Sequence, residues 1–401
     1  MKISVYMEAM AYKYGGAGAY TAGLIEALQK MYPGVRIRLI TEQPAGKRKV
    51  PATEFVAMQN RAYGTDMSGR DFSIAYFGFR KIDESLAKNG IIRKLRIIHK
   101  EFLSIKQAAD IRRLSEGSDL FINASLKIIS GKGKKNICIV HFPFPHTAAS
   151  GINSRLPFFR AKASARDYRY GNGYDLYLPN SSFTAGHLKE RWHIPESKIK
   201  VLYPPVRMAE CRGRKNQNQI FACGRFNREK KTGMLIEAFS SSEFLSQNAT
   251  LVVAGTAQGE DPRFIEGLQK SATGRVKLVF DPDREELEAL YASSGIFWHA
   301  MGYGEEEPVR FEHFGITTVE AMSAGCVPVV INKGGQKEIV TEDCGYRWDT
   351  PEELVERTEF LIRNPGEAER LRANSMARSR IFSKEVFCRK LSAILADAFS
   401  A

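Results

Sequence analysis

Short apolar runs rich in β-branched and aromatic residues recur along the whole chain, separated by longer stretches in which apolar positions fall three or four residues apart. The short runs predict strands over 2–7, 36–41, 119–124, 136–142, 175–180 and 198–203, then 220–225, 250–255, 276–280, 295–300 and 326–332. Between most of them lies enough chain for a helix, and over 20–31 the residues Leu24, Ile25, Leu28 and Met31 keep helical spacing. Strands alternating with helices predict parallel sheets covered on both faces, the doubly wound α/β class. Over 385–400, Phe387, Leu391, Ile394, Leu395 and Ala398 predict a docked amphipathic helix rather than a tail.

Two such series fit the 401 residues better than one. Pro204 and Pro205 stop a strand, and the polar run over 212–219 separates it from the next, so the chain is expected to divide there. The expected domains are 1–205, 206–380 and a C-terminal helix over 381–401.

Composition adds bounds. Hydrophobic residues make up 43% and charged residues 26%, as in soluble globular proteins. Six scattered cysteines form no C-x-x-C pair, which reads as a reduced, cytosolic set. The N-terminus lacks the features of a signal peptide, and the longest stretch free of charged side chains, 136–154, contains His141, Pro143, Pro145 and His146, so no membrane span is expected. The formal charge of +14 calls for an anionic partner without choosing one.

Three segments carry candidate chemistry. Gly15, Gly16 and Gly18 follow the first predicted strand and lead into a helix, whose N-terminal amides and partial positive charge suit a phosphate. This spacing is not the dinucleotide fingerprint, and no acidic residue ends the second strand. In CGRFNREKK, Arg225 leaves a strand and Lys230 and Lys231 follow, a fork and an ammonium able to neutralise a diphosphate at a strand's carboxyl end. The third segment runs from Glu312 through His313, Phe314, Gly315, Ile316 and Thr317 to Glu320. It places two carboxylates around a helix start, each able to accept hydrogen bonds from vicinal sugar hydroxyls. Taken singly, these segments have as their alternatives a bare glycine turn, a solvated basic loop and surface charge. His141 and His146 lack the carboxylate or cysteine that would complete a metal site, and Glu305, Glu306 and Glu307 read as a solvated loop.

Together, the GGAG turn, GRF with its lysine, the E-x7-E element with EAMSAGCVPVV, and the later GG with Glu338 occur in one order over the whole chain. In that order they resemble the retaining, nucleotide-sugar-dependent glycosyltransferases of family 4, which have the GT-B fold. EHFGI, VHFPFP and NSSFT with YPPV look locally like the mannosyltransferases that extend lipid-linked oligosaccharides from GDP-mannose.

The resemblance implies two Rossmann-like domains facing across a cleft, with the C-terminal helix packing back towards the N-terminal one. It implies transfer of a hexose from a GDP-mannose or UDP-glucose type donor to a glycan or lipid-linked acceptor, without metal, other cofactor or protein nucleophile. Residue by residue, Gly16, beside Gly15, would meet the donor diphosphate, with Arg225 and Lys230, or Lys231 if the loop is one residue longer. Glu312 and the amides of Phe314, Gly315 and Ile316 would hold the sugar, with Thr317 beside them, and Glu320 the ribose. His141 would lie near the reacting centre, and His313, where many relatives have a small residue, bears on donor choice. A GT-B epimerase or phosphorylase, and a basic non-enzymatic binding protein, are the competing classes. No nucleic-acid motif supports the last.

The charge divides unevenly: residues 1–205 carry a net +17 and 206–401 a net −3. Over 80–113, ten basic residues accompany Ile91, Ile92, Leu95, Ile98, Phe102 and Ile105 at roughly helical spacing, which suggests peripheral docking on an anionic membrane or a lipid-diphosphate acceptor, a solvated helix face being the alternative.

Overall fold

The computed structural model describes residues 1–12, 15–44, 46–78, 105–143, 173–209 and 215–400. The chain forms two compact units, one of Met1–Asn180, Thr184–Leu202 and Phe387–Ala401, the other of Ser181–Phe183 and Tyr203–Val386.

The first unit is a parallel sheet of β1 (Lys2–Tyr6), β2 (Arg36–Gln43), β3 (Phe72–Gly78), β4 (Leu120–Asn123), β5 (Lys135–Val140) and β6 (Leu176–Pro179), in the order β3-β2-β1-β4-β5-β6. Helices α1 (Gly16–Met31), α2 (Ala52–Tyr63), α3 (105–115) and α4 (Ser182–Trp192) accompany it. The second unit repeats the plan with β7 (Asn216–Cys223), β8 (Thr250–Gly255), β9 (Val276–Phe280), β10 (Ser294–His299), β11 (Val327–Ile331) and β12 (Tyr346–Trp348), in the order β12-β11-β10-β7-β8-β9. It is accompanied by helices α5 (Thr232–Ser241), α6 (Glu243–Asn248), α7 (Pro262–Ser271), α8 (Arg284–Ser293), α9 (Ile316–Ser323), α10 (Gln336–Ile339), α11 (Pro351–Arg363) and α12 (Pro365–Ser379). Numbered within each unit, both sheets run 3-2-1-4-5-6. The order reverses between β1 and β4 in one and between β7 and β10 in the other, and the carboxyl ends beside such a reversal are where open α/β sheets bind ligands.

The strands read as apolar runs because they are buried on both faces. Ile137 and Ile139 of β5 enter one core cluster and Cys138 and Val140 another; Leu251 and Val253 of β8 are likewise separated from Val252 and Ala254. This is the two-residue alternation of a strand packed on either side.

The strands differ from those predicted in three respects. β3 and β12, not predicted, each lie at one edge of their sheet: β12 is only three residues long, while β3, FSIAYFG, carries an apolar run of its own that alternates between buried and more exposed positions. Residues 198–203 do not form a ladder strand. Lys200 and Leu202 donate their N–H groups to Tyr177 and Pro179, but Pro179 has no N–H to return a bond. The strand expected at 220–225 begins at Asn216 instead, inside the polar run read as a linker.

Tyr203, Pro204 and Pro205, expected with 1–205, group with the second unit, as do Ser181–Phe183, and that unit continues past 380 to Val386. Tyr203 packs edge-on to Phe382 at 5.0 Å, and Val206 bridges Ser383. Much of the basic segment 80–113, and His146, lie outside the described residues. No helix among the described residues is long and apolar enough to cross a membrane.

The C-terminal helix, α13 (Lys384–Ser400), buries Phe387, Leu391 and Leu395 in the first unit's core with Tyr20, Leu24 and Leu28 of α1. Leu391→Ala is expected to cost about 2–5 kcal/mol of stability, read as a lower urea midpoint.

Candidate active site

In the second unit the chain leaves β7 and makes a single 3-10 turn, Arg228–Lys230, whose Asn227 side chain accepts from the Lys230 amide at 3.2 Å. Lys231 follows in left-handed backbone with φ 58°, so the two lysines diverge. Lys230 Nζ lies 2.7 Å from Glu312 Oε2, whereas Lys231 Nζ lies 2.6 Å from Glu305 Oε1. Lys230 is therefore the lysine that meets the E-x7-E element. Glu305 is no solvated loop residue: Arg310 also approaches it at 3.6 Å, and its side chain is 21% exposed.

Glu312 sits between β10 and α9 (Ile316–Ser323), beside the carboxyl end of β10. Its Oε2 also takes the ring of His299, the final residue of β10, at 3.3 Å. Burial opposes the charge, but Lys230 and the His299 hydrogen bond outweigh it and hold this carboxyl well below the ordinary carboxylate range. His299 itself is pushed down by burial, against the pull of Glu312. Lys230 and Glu312 thus meet beside the β7–β10 reversal, one from the segment that follows each strand.

Gly315 caps α9 with φ 122°, a backbone that side chains rarely adopt, and a Cβ there would lie 2.4 Å from the Gln336 amide nitrogen. The first helical N–H groups with an acceptor are those of Thr318 and Val319, which reach the Gly315 carbonyl, so the amides of Ile316 and Thr317 precede any intrahelical partner. Phe314 is buried with Val319, Met322 and Phe382, which anchors the loop and makes its side chain a core residue. Glu320 lies further along α9 with Tyr291 Oη at 3.1 Å and Arg284 Nη1 at 3.5 Å; burial nevertheless raises its pKa.

Arg225 is the exposed member of the set, held loosely by Glu229 at 3.8 Å and Glu260 at 3.9 Å. His313 stacks on Phe183, with ring centroids 6.4 Å apart. Glu338 accepts from the amides of Ser182 at 2.9 Å and Phe183 at 3.2 Å and from the Tyr203 hydroxyl at 3.0 Å, all of them in the second unit.

In the first unit, α1 starts at Gly16 with Gly15 as its cap, and the Gly15 amide donates to the Tyr63 hydroxyl at 3.0 Å. No acidic residue occupies the first turn of α1, so its N-terminal amides and dipole are not neutralised from within the helix. His141, one residue past β5, places Nε2 3.0 Å from the Ala124 carbonyl oxygen, and since a carbonyl only accepts, Nε2 carries the proton. Tyr20 meets the ring edge-on at 5.5 Å, and Phe387 meets Tyr20 in the same way at 5.7 Å. Burial lowers the His141 pKa from 6.5 to about 4, against the hydrogen bond to Ala124.

Because this folded pKa is depressed, its contribution to stability is fully present above pH 6.5 and is lost as the pH falls towards 4. At about 1.4 kcal/mol per unit, wild-type chain is expected to lose about 2–3 kcal/mol on this account between pH 7 and 4.5. A His141→Gln variant lacks that component, which urea denaturation at the two pH values measures.

Residues 14–210 match the family model for Glycosyltransferase Family 4, and residues 209–378 match that for Glycosyl transferases group 1, so the two matches together take in most of the chain. The chain belongs to glycosyltransferase family 4. This family 4 chain is 28% identical over 256 residues to the GDP-Man:Man(3)GlcNAc(2)-PP-Dol alpha-1,2-mannosyltransferase of Neurospora crassa, a match covering 55% of this chain and 45% of that one. The protein of the same name from Mus musculus is 26% identical over 247 residues, covering 54% and 47%. The chain therefore spans less than half the length of these curated relatives. Among solved structures, HepE of Anabaena, determined with UDP and glucose, aligns with a TM-score of 0.65 at 16% identity over 99% of each chain. Sucrose-phosphate synthase of Thermosynechococcus elongatus aligns with a TM-score of 0.67 at 15% identity, covering 100% of this chain and 99% of that one. The likeness to these two is one of fold, the two-sheet GT-B architecture.

Several residues of this family 4 site escape sequence reading. His299 is hidden at the end of an apolar run, though a polar residue closing a buried strand at a ligand-binding edge is itself a signal. Arg284 and Tyr291 reach Glu320 from α8 (Arg284–Ser293), a helix with no motif of its own. The hold of Glu338 on the Ser182 and Phe183 amides follows only from the fold.

Proposed function

We propose that the chain is a retaining glycosyltransferase that moves a hexose from a nucleoside-diphosphate sugar to a glycan or lipid-linked acceptor, and that GDP-mannose is the favoured donor, with UDP-glucose as the alternative. The observation that carries this reading is the Lys230–Glu312 pair at the β7–β10 reversal, in front of the amide-bearing start of α9. A cation for a diphosphate, a charged carboxylate for sugar hydroxyls and unpaired amides beside them are the groups a nucleotide sugar requires. The mannosyltransferases to which the chain is similar use GDP-mannose by name, which supports the choice of donor.

In this reading Lys230 and Arg225 bind the diphosphate, and Lys231, engaged with Glu305, braces the loop. Glu312 accepts from hydroxyls of the sugar, with the amides from Phe314 to Thr317 and the His313 ring close by in the chain. Glu320, oriented by Arg284 and Tyr291, takes the ribose. Considered by itself, the first unit offers the Gly16 amide at the start of α1, the Gly15 amide being held by Tyr63, and a neutral, buried hydrogen-bonding group in His141.

No side chain need act as nucleophile. The bond from the anomeric carbon to the diphosphate oxygen breaks, the acceptor oxygen bonds to that carbon on the same face, and the departing oxygen takes the acceptor's proton. The protein's part is to stabilise charge growing on the diphosphate, and no metal is invoked for it.

Thermal unfolding with UDP, GDP and ADP tests the donor class, since a ligand of the folded state stabilises it by RT ln(1 + [L]/Kd). GDP is expected to give the largest shift, and no shift with any of the three counts against the reading. Release of nucleoside diphosphate only when an acceptor is added separates transfer from epimerisation. We extend the proposal to a cytoplasmic, peripheral location, with the basic sequence of 1–205 meeting an anionic membrane. Co-sedimentation with anionic liposomes at low salt, lost at high salt, is the expected result.

A further inference from the structure

His299 is 4% exposed and closes β10 between the buried Trp298 and Ala300. Its Nε2 approaches the Glu312 oxygen that also receives Lys230. An ionised carboxylate only accepts, so this Nε2 carries the proton and the tautomer is set. Nδ1 is buried and, among the described residues, has no hydrogen-bond partner, so a second proton there would be a buried donor without an acceptor.

Lys230 supplies charge, but an ammonium on a four-carbon stem is a point charge and imposes little orientation. A planar ring fixed in a buried strand does impose one. With both donors on Oε2, the carboxylate is held through that one oxygen, and Oε1, which has no partner among the described residues, is left to accept from a ligand.

We propose that His299 is a positioning residue: it orients Glu312 so that Oε1 is presented to hydroxyls of the transferred sugar, and it thereby sets the part of donor affinity that depends on the sugar. The proposal rests on the reading of Glu312 as the sugar-binding carboxylate. Its effect is one of pre-organisation, since a carboxylate already aimed loses less freedom when the sugar arrives.

Isothermal titration calorimetry tests it, using whichever of GDP-mannose and UDP-glucose binds the wild-type chain more tightly, alongside the matching nucleoside diphosphate. His299→Phe is expected to weaken the sugar nucleotide about tenfold, the scale of a hydrogen bond to a charged group, and to leave the diphosphate within about twofold. His299→Gln, whose amide reaches the Nε2 position, should stay within about threefold of wild type, whereas His299→Asn, which donates only from the Nδ1 position, should not. If His299→Phe does not fold, the Gln and Asn pair decides. In a Glu312→Ala background the His299 substitutions should have no further effect. Equal weakening of sugar nucleotide and diphosphate, or additivity with Glu312→Ala, overturns the proposal. If neither sugar nucleotide binds wild type, or if Glu312→Ala binds it normally, the reading of Glu312 fails and the proposal falls with it. If Glu312→Ala weakens binding and His299→Phe does not, the inference alone fails.

Discussion

Lys230→Ala is expected to lower kcat for sugar transfer by about 10²–10³-fold, the scale seen when a preorganised group that meets developing charge is removed. The ammonium has two roles in one position. It is the part-buried cation assigned to the diphosphate, and it is the strongest influence keeping Glu312 ionised against its own burial. Removing it leaves Glu312 with His299 as its one remaining partner among the described residues, and that ring is itself disposed to stay neutral. The carboxyl pKa should therefore rise, and activity in the variant should fall further as the pH is lowered. Lys230→Arg keeps the charge but replaces a point charge with a planar fork, so it should recover only part of the rate. Steady-state kinetics with the donor identified by the nucleotide panel, and circular dichroism to confirm folding, make the measurement. A kcat for Lys230→Ala within about threefold of wild type would remove Lys230 from the site.

Gly334→Ala is expected to disable the same site through the backbone. Gly334 has φ 59°, and a Cβ on it would lie 2.2 Å from the Glu312 carbonyl oxygen, which no rotamer change relieves. The next residue pins that carbonyl, since the Gly335 amide donates to it at 2.8 Å. Alanine here combines left-handed backbone, costing about 1–3 kcal/mol, with a steric conflict that must push the Glu312 segment away. We expect about 2–4 kcal/mol lower stability by urea denaturation and a kcat/KM about 10–100-fold lower, since displacements near 1 Å cost on that order. Gly334→Asn, which tolerates left-handed backbone but also carries a Cβ, should be nearly as damaging. If it were harmless, the conflict with Glu312 would not be the cause.

How much of this was legible in the sequence depends on whether a residue's role is local. The central strands were legible because burial on both faces writes an uninterrupted apolar run, as in β8 and β11. Of the edge strands, β12 was not, because its three residues are too few to write a run, whereas β3 does carry one in FSIAYFG and β6 and β9 were legible. The spacing of Glu312 and Glu320 around Gly315 was legible, since a helix start and its first turns lie within nine consecutive residues. The choice between Lys230 and Lys231 was not, because it turns on one residue in left-handed backbone. Neither was the ion pairing of Glu305, whose partners Lys231 and Arg310 come from both sides of it in the chain. His299, Arg284 and Tyr291 act through packing between elements, and composition records nothing of that.

Phe387 touches Tyr20 and Tyr20 touches His141, so the last helix supports the packing around a residue of the first sheet. During synthesis the order is inverted. The six strands β1 to β6 emerge first, with the apolar surface that Phe387, Leu391 and Leu395 will cover still open, and it stays open while the ribosome makes the entire second unit. The half of the molecule translated first is thus completed last. For that interval its uncovered apolar face is open to a neighbouring chain.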